Sequence, residues 1–238
     1  MIQVLTVHVE VPVASFRRPL DHTYQRTLPL PPPTTLLGLA GAAFGLDPTQ
    51  LWNENSPLQT LQLQVLAQNP PARATDVWTL LKIKAGKMER SPYLRELLFN
   101  ARFTLLYGGT HELLAKLRNA FLQPVYPLSL GREDELLQVK ACEIQECPAA
   151  TTPYLFQGTV LPGDLRLLNA RPILQEGLMM EPAIVECLPT RFDIEPNGIR
   201  HPAKEQTFTF LPYTVQVELQ TFSRPVYRYG ERCFVWLP

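Results

Sequence analysis

From Met1 to Val11 apolar and polar side chains alternate, with Leu5, Val7, Val9 and Val11 on one face and Val4, Thr6, His8 and Glu10 on the other. A period of two residues is that of a half-buried β-strand. Beyond a basic loop and the run Pro31-Pro32-Pro33 the period lengthens. Leu36, Leu37, Leu39, Ala40 and Ala43 recur at helical spacing, with Thr34-Thr35 as capping residues and Gly45 placed to stop the helix after Phe44. Gly38, Gly41, Ala42 and Gly45 give this helix a small-residue face, although each internal glycine costs about 1 kcal/mol relative to alanine. Close packing on a sheet explains such a face, and close approach to an RNA backbone is the alternative.

Strand patterns follow over residues 58–67 and 77–85, and again over 96–107, where Phe103, Leu105 and Tyr107 alternate with Arg102, Thr104 and Leu106 until Gly108-Gly109 breaks the pattern. A second helix is expected over residues 111–122, capped by Thr110, striped by Leu113, Leu114, Leu117 and Phe121 and ended by Pro124, and a strand over 136–144 comes next. Strand, helix, strands, helix, strand is the α+β, ferredoxin-like order of RNA-recognition-motif domains, with an insertion between the middle strands. The expected organisation is therefore a palm over residues 1–148, with a β-hairpin thumb inserted at about 68–95. A smaller antiparallel β region at 149–238 packs on it, ending in a hairpin of 224–229 and 232–237 around Gly230-Glu231.

Composition narrows the choice of function. A chain of 238 residues, 45% hydrophobic, buries one full core and a smaller second one, and 24 prolines favour short elements and stiff turns over a helical bundle. Lysine plus arginine (22) equal aspartate plus glutamate (22), so a polyanion site has to be local. No apolar run approaches the roughly 20 residues of a membrane helix, and the N-terminus lacks a signal-peptide pattern; a cytoplasmic location with no membrane partner is expected. Cys142, Cys147, Cys187 and Cys233 are scattered without zinc-site spacing and are expected as buried free thiols; no metal or cofactor is anticipated.

Two segments could bind RNA. The loop after the first strand, Ser15, Phe16, Arg17, Arg18, His22, Tyr24 and Arg26, interleaves rings that stack on unpaired bases with guanidinium groups that fork onto phosphates. A solvated loop with Phe16 anchoring it to the core is the plainer alternative. In the insertion and the strand after it, Lys82, Lys84, Lys87, Arg90, Arg95 and Arg102 against Glu89 and Glu96 give six minus two, a local charge of +4; an ordinary solvated face is again the alternative. Phosphate-loop, paired-histidine and nucleophilic-serine motifs are missing, and His8, His111 and His201 lie far apart in sequence. Metal-independent RNA cleavage by His22 and Tyr24 beside the arginines remains a chemical option, because a base and a phosphorane-stabilising cation suffice for it.

The run from Val13 to Arg17, then Tyr24, then Leu28-Pro29-Leu30-Pro31-Pro32-Pro33-Thr34-Thr35-Leu36-Leu37-Gly38 leading into a small-residue helix, resembles the CRISPR-associated Cas five family. The likeness continues in Arg95-Glu96-Leu97-Leu98, in the Leu113-Leu117-Phe121 helix, and in Pro124-Val125-Tyr126-Pro127-Leu128-Ser129-Leu130-Gly131-Arg132, covering roughly residues 1–145. The resemblance implies a non-catalytic subunit of a type I Cascade complex whose palm and thumb, of the RAMP superfamily, cap the 5′ handle of the crRNA. It also implies contacts with the backbone subunits and the large subunit, target DNA near the PAM being a further contact. Arg17, Arg18 and Arg26 would then hold handle phosphates, Phe16 and Tyr24 would lie near bases, and Lys82, Lys84, Lys87 and Arg90 would run along the thumb. One branch of the family instead cuts precursor RNA, and a purely structural docking subunit is a third possibility.

Overall fold

The computed structural model describes every residue except Ala85, Leu174, Gln175, Glu176 and Leu178. The alternating N-terminal segment forms β1 (Ile2–Ala14). The basic loop folds back through β2 (Tyr24–Gln25) and leads to α1 (Pro33–Phe44). Pro32 occupies the N-cap position, so the helix starts before the expected threonine caps and has no side-chain cap; Pro33 suits its first position, where a missing N–H breaks no helical bond. Gly45 ends it at φ 75°, as the pattern indicated. A one-turn helix, α2 (Pro48–Leu51), closes on an Asp47/Gln50 capping box.

β3 (Gln62–Ala67) starts later than expected, because Pro57–Thr60 winds into a 3-10 turn. β4 (Ala72–Lys84) and β5 (Lys87–Gly108) then form a long hairpin, paired from Ala72↔Phe99 to Lys84↔Lys87. Both strands exceed their expected lengths; Ala85, the expected end of the first, lies outside the described residues. After α3 (His111–Leu122), whose first turn Thr110 caps through the Leu113 N–H, comes β6 (Gln138–Cys147).

The second half of β5 pairs with β1 on one side and with β3 on the other, and β6 lies beyond β1, giving the antiparallel order β3-β5-β1-β6. Leu5, Val7, Val9 and Val11 meet Phe103 and Tyr107 and the apolar stripes of α1 and α3 in the main core. Tyr107 donates its hydroxyl to the Leu36 carbonyl (3.1 Å) and its ring lies 5.5 Å from that of Phe121, locking both helices to the sheet. The rest of the hairpin, residues 74–97, extends as an arm.

The remaining strands are β7 (Tyr154–Gln157), β8 (Val160–Pro162), β9 (Arg171–Ile173), β10 (Ile184–Ile194), β11 (Arg200–Phe210), β12 (Gln216–Leu219), β13 (Tyr227–Tyr229) and β14 (Arg232–Phe234). β13 and β14 turn at Gly230-Glu231 as expected, but each is shorter than its pattern.

This C-terminal part corrects the reading of β1 as a half-buried strand over its first half, where Val4 and Thr6, on its second face, are as buried as Leu5 and Val7; farther along, Glu10 on that face stays partly exposed. Phe234 and Trp236 pack there against Val4, Leu66 and Leu106, and buried Gln64 donates to the Val160 (2.9 Å) and Val235 (2.6 Å) carbonyls. His8 bridges Thr104 (3.0 Å) and Tyr229 (3.2 Å).

β10 and β11 form a second long hairpin that leans over α1 and α2, with Phe192 edge-on to Trp52 at 5.1 Å and Arg191 paired with Glu54 at 2.8 Å. Cys142, Cys147 and Cys233 are buried free thiols as expected. Cys187, against that expectation, is exposed: on β10 it alternates with Leu188, which is buried in the main core. Among the described residues no helix is long and apolar enough to cross a membrane.

Candidate nucleic-acid interface

The arm and the β10–β11 hairpin flank a cleft of about 770 Å³. Its walls come from the loop after β1, the N-terminus of α1, the base of the arm, the Gly131-Arg132 turn and β10. Four guanidinium-bearing residues, Arg17, Arg18, Arg95 and Arg132, line it together with Trp78.

A buried polar knot holds these segments together. Glu135 accepts from the Ser15 N–H (2.8 Å), the Ser15 hydroxyl (2.7 Å) and the Arg132 N–H (2.8 Å), and it is ion-paired with Arg95, whose guanidinium also donates to the Ser15 hydroxyl. Burial lowers the Arg95 pKa while the Glu135 charge opposes that shift. With both partners nearly inaccessible, removing one would leave an uncompensated buried charge, so the knot fixes where loop and arm meet. The Trp78 ring lies beside this knot, 4.4 Å from the Arg132 guanidinium and 5.5 Å from that of Arg95.

The expected loop residues divide. Ser15, Phe16, Arg17 and Arg18 line the cleft, whereas His22, Tyr24 and Arg26 do not. Phe16 is 3% exposed and packs edge-on against Phe103 at 6.1 Å, so its ring anchors the loop to the core and has no face open to a base. Arg17 donates to the Asp21 carbonyl (2.6 Å) and has no carboxylate partner among the described residues, which leaves its charge for a ligand. Arg18 is paired with Glu186 of β10, tying the two walls. Arg26 is held by Asp21 (2.8 Å), and that guanidinium pulls the Asp21 pKa down. Tyr24 donates to Glu96 (2.7 Å), which raises its phenol pKa, while His22 is exposed without a hydrogen bond among the described residues.

On the arm, the Lys82 ammonium sits 5.0 Å over the Tyr93 ring, and Lys87 and Arg90 are exposed near the tip. The Lys84 side chain lies outside the described residues. The helix glycines separate by role: Gly41 faces Leu51, Gly45 is the left-handed cap, and Gly38 has nothing within 4 Å of where a Cβ would be. Gly38 opens onto a second groove that shares Thr34, Thr35, Gly131 and Phe192 with the cleft.

Sequence reasoning missed Trp78 and Glu135 as site residues. Trp78 carries no local signal beyond being a tryptophan in a strand pattern, and the side-chain partners of Glu135 lie 40 and 120 residues away. No group of three or more histidine, cysteine, aspartate or glutamate side chains could hold a metal among the described residues.

Residues 4–232 match the model of the family described as CRISPR-associated protein (Cas_Cas5), and the chain belongs to this family. Among solved structures, a chain of a CRISPR RNA-guided surveillance complex is similar over 92% of this chain and 91% of its own length, with TM-score 0.56 and 16% identity. A CRISPR protein from Archaeoglobus fulgidus is similar over 98% and 97%, with TM-score 0.50 and 13% identity. These two likenesses establish a shared mixed α+β, strand-rich fold. The crystal structure of a Cas protein is 27% identical, but the match spans only 56% of this chain and 58% of that one, with TM-score 0.38. No curated protein matches the sequence.

Proposed function

We propose that this chain is a non-catalytic RNA-binding subunit of a type I CRISPR Cascade complex in the cytoplasm, holding the 5′ handle of the crRNA in the cleft between arm and β10–β11 hairpin. The observation that carries the proposal is the convergence of Arg17, Arg18, Arg95 and Arg132 on one cleft, the last two beside the Trp78 ring, on a chain of zero net charge. Guanidinium groups on a fixed frame suit phosphate oxygens, and an aromatic ring among them suits an unpaired base. The order β3-β5-β1-β6 with α1 and α3 on one face supports a ferredoxin-like palm, and the arm supports a thumb inserted between its strands. Membership of the CRISPR-associated family supports the assignment to an RNA-guided complex, in which base pairing carries sequence specificity.

The arm has two faces. Val77, Leu81, Ile83, Met88 and Leu94 are exposed along one of them, in register across the hairpin, which supports contact with neighbouring backbone or large subunits. A non-catalytic role is supported by Tyr24, whose hydroxyl is engaged by Glu96 with a raised pKa, and by the position of His22 outside the cleft.

The test is incubation of the purified chain with labelled CRISPR repeat RNA, without added metal, across a salt series. Binding without cleavage, weakened by salt and by Arg17→Ala, is the expected result. Site-specific cutting abolished by His22→Ala would replace this reading with an endoribonuclease. Failure to bind RNA would favour a structural docking subunit.

A further inference from the structure

We infer that the cleft-facing side of the arm is a base-stacking track, with Trp78 as its first platform, covered by Arg132 until a nucleotide displaces it, and Tyr93 as its second. The inference rests on the RNA-binding reading above and assigns residues that the basic loop did not supply.

Trp78 and Tyr93 are directly opposite in the β4–β5 pairing, so the pleat puts both rings on one face of the arm. Lys82 shares that face, two residues of one side further along, and covers Tyr93. The two rings therefore lie side by side at one level of the arm, with Arg132 over Trp78 and, farther out, Lys82, whose cross-strand partner is Glu89, over Tyr93: a pair of rings with a cation on each. Flat apolar surface flanked by cations complements a single strand, which offers base faces on one side and phosphates on the other. The opposite face of the arm carries the aliphatic residues and no such ladder.

The two guanidinium groups beside Trp78 differ in burial and in how firmly they are partnered. Arg95 is anchored in the buried knot with Glu135 and Ser15, its side chain 10% exposed. The side chain of Arg132 is 37% exposed, and its carboxylate partner is Asp134, at 3.3 Å and itself 63% exposed. Arg132 can therefore leave the ring for a phosphate while Arg95 stays. The Trp78 indole N–H is also buried without an acceptor, and nucleotides are rich in acceptors.

The emission of the full chain reads this directly, because Trp52 and Trp236 are 5% and 9% exposed while Trp78 is half-buried in the cleft. Titration with single-stranded CRISPR repeat RNA is expected to quench the emission, whereas the same RNA annealed to its complement is not. Trp78→Phe should abolish the quenching with only a few-fold loss of affinity, since a phenyl ring still stacks. Trp78→Ala, checked for folding by circular dichroism, should weaken binding by about tenfold or more. Arg132→Ala should raise acrylamide quenching of the free protein and lower it again when RNA binds. Tight binding with unchanged emission, or equal affinity for wild type and Trp78→Ala, would overturn the stacking track and leave the RNA-binding reading standing. If the wild-type chain binds no RNA, that reading fails, and this inference with it.

Discussion

Gly131 lies directly on the end of β1: a Cβ at residue 131 would come within 2.6 Å of the Ser15 carbonyl oxygen. Its φ of 122° is also one that residues with a side chain rarely adopt. Gly131→Ala is therefore expected to combine backbone strain of about 1–3 kcal/mol with a steric clash. Thermal unfolding should show a midpoint lower by about 2–4 °C for each kcal/mol lost. An unchanged midpoint would mean that the loop and the turn do not press on each other.

Glu135 is the acceptor for three donors besides its ion pair with Arg95. Glu135→Ala strands the Arg95 charge and should cost about 3–5 kcal/mol, measured as a shift of the urea midpoint without a large change in slope. Arg17→Ala, on a side chain that is exposed, should leave that midpoint within about 0.5 kcal/mol of wild type.

Gly38 sits in a helix with open space where its side chain would project. Gly38→Ala should raise stability by about 0.5–1 kcal/mol, because alanine has less backbone entropy to lose and nothing to collide with. A destabilised variant would show that the groove is closed in solution.

Burial pushes the Cys142 and Cys147 thiols up to about 11, and raises Cys233 as well, so these three stay protonated near pH 8. Thiolate is the reactive form, so a disulfide-exchange reagent at pH 8 should modify Cys187 rapidly in the native protein and the other three only after denaturation. Rapid loss of more than one thiol would contradict the packing of β6 and β14.

Elements with strong local signals were legible in advance. α3 runs from His111 to Leu122 with Thr110 capping it, and α1 stops at Gly45, because apolar periodicity and caps act within a few residues. The β10–β11 hairpin was not legible. Pro189 and Pro202 interrupt its apolar pattern, and they are tolerated because Pro189 sits at a register shift and Pro202 on a stretch of β11 that pairs with β10 alone. The loop was recognised as a candidate site, yet Phe16 turned out to belong to the core, since alternation cannot tell a ring that anchors a loop from a ring offered to a ligand.

The sequence by itself determined the order of the main strands and helices as far as β6, the positions of the basic loop and arm, and the family, all of which depend on short-range pattern. Only the tertiary structure decided which charges remain available. Arg18 meets a carboxylate 168 residues away and Ser15 one 120 residues away, while Arg17 meets none among the described residues. It also decided that the first half of β1 is covered on both faces and that Trp78, not Phe16, presents its ring to the cleft. Side-chain partnerships of that range depend on how sheets and hairpins stack, and no local periodicity encodes them.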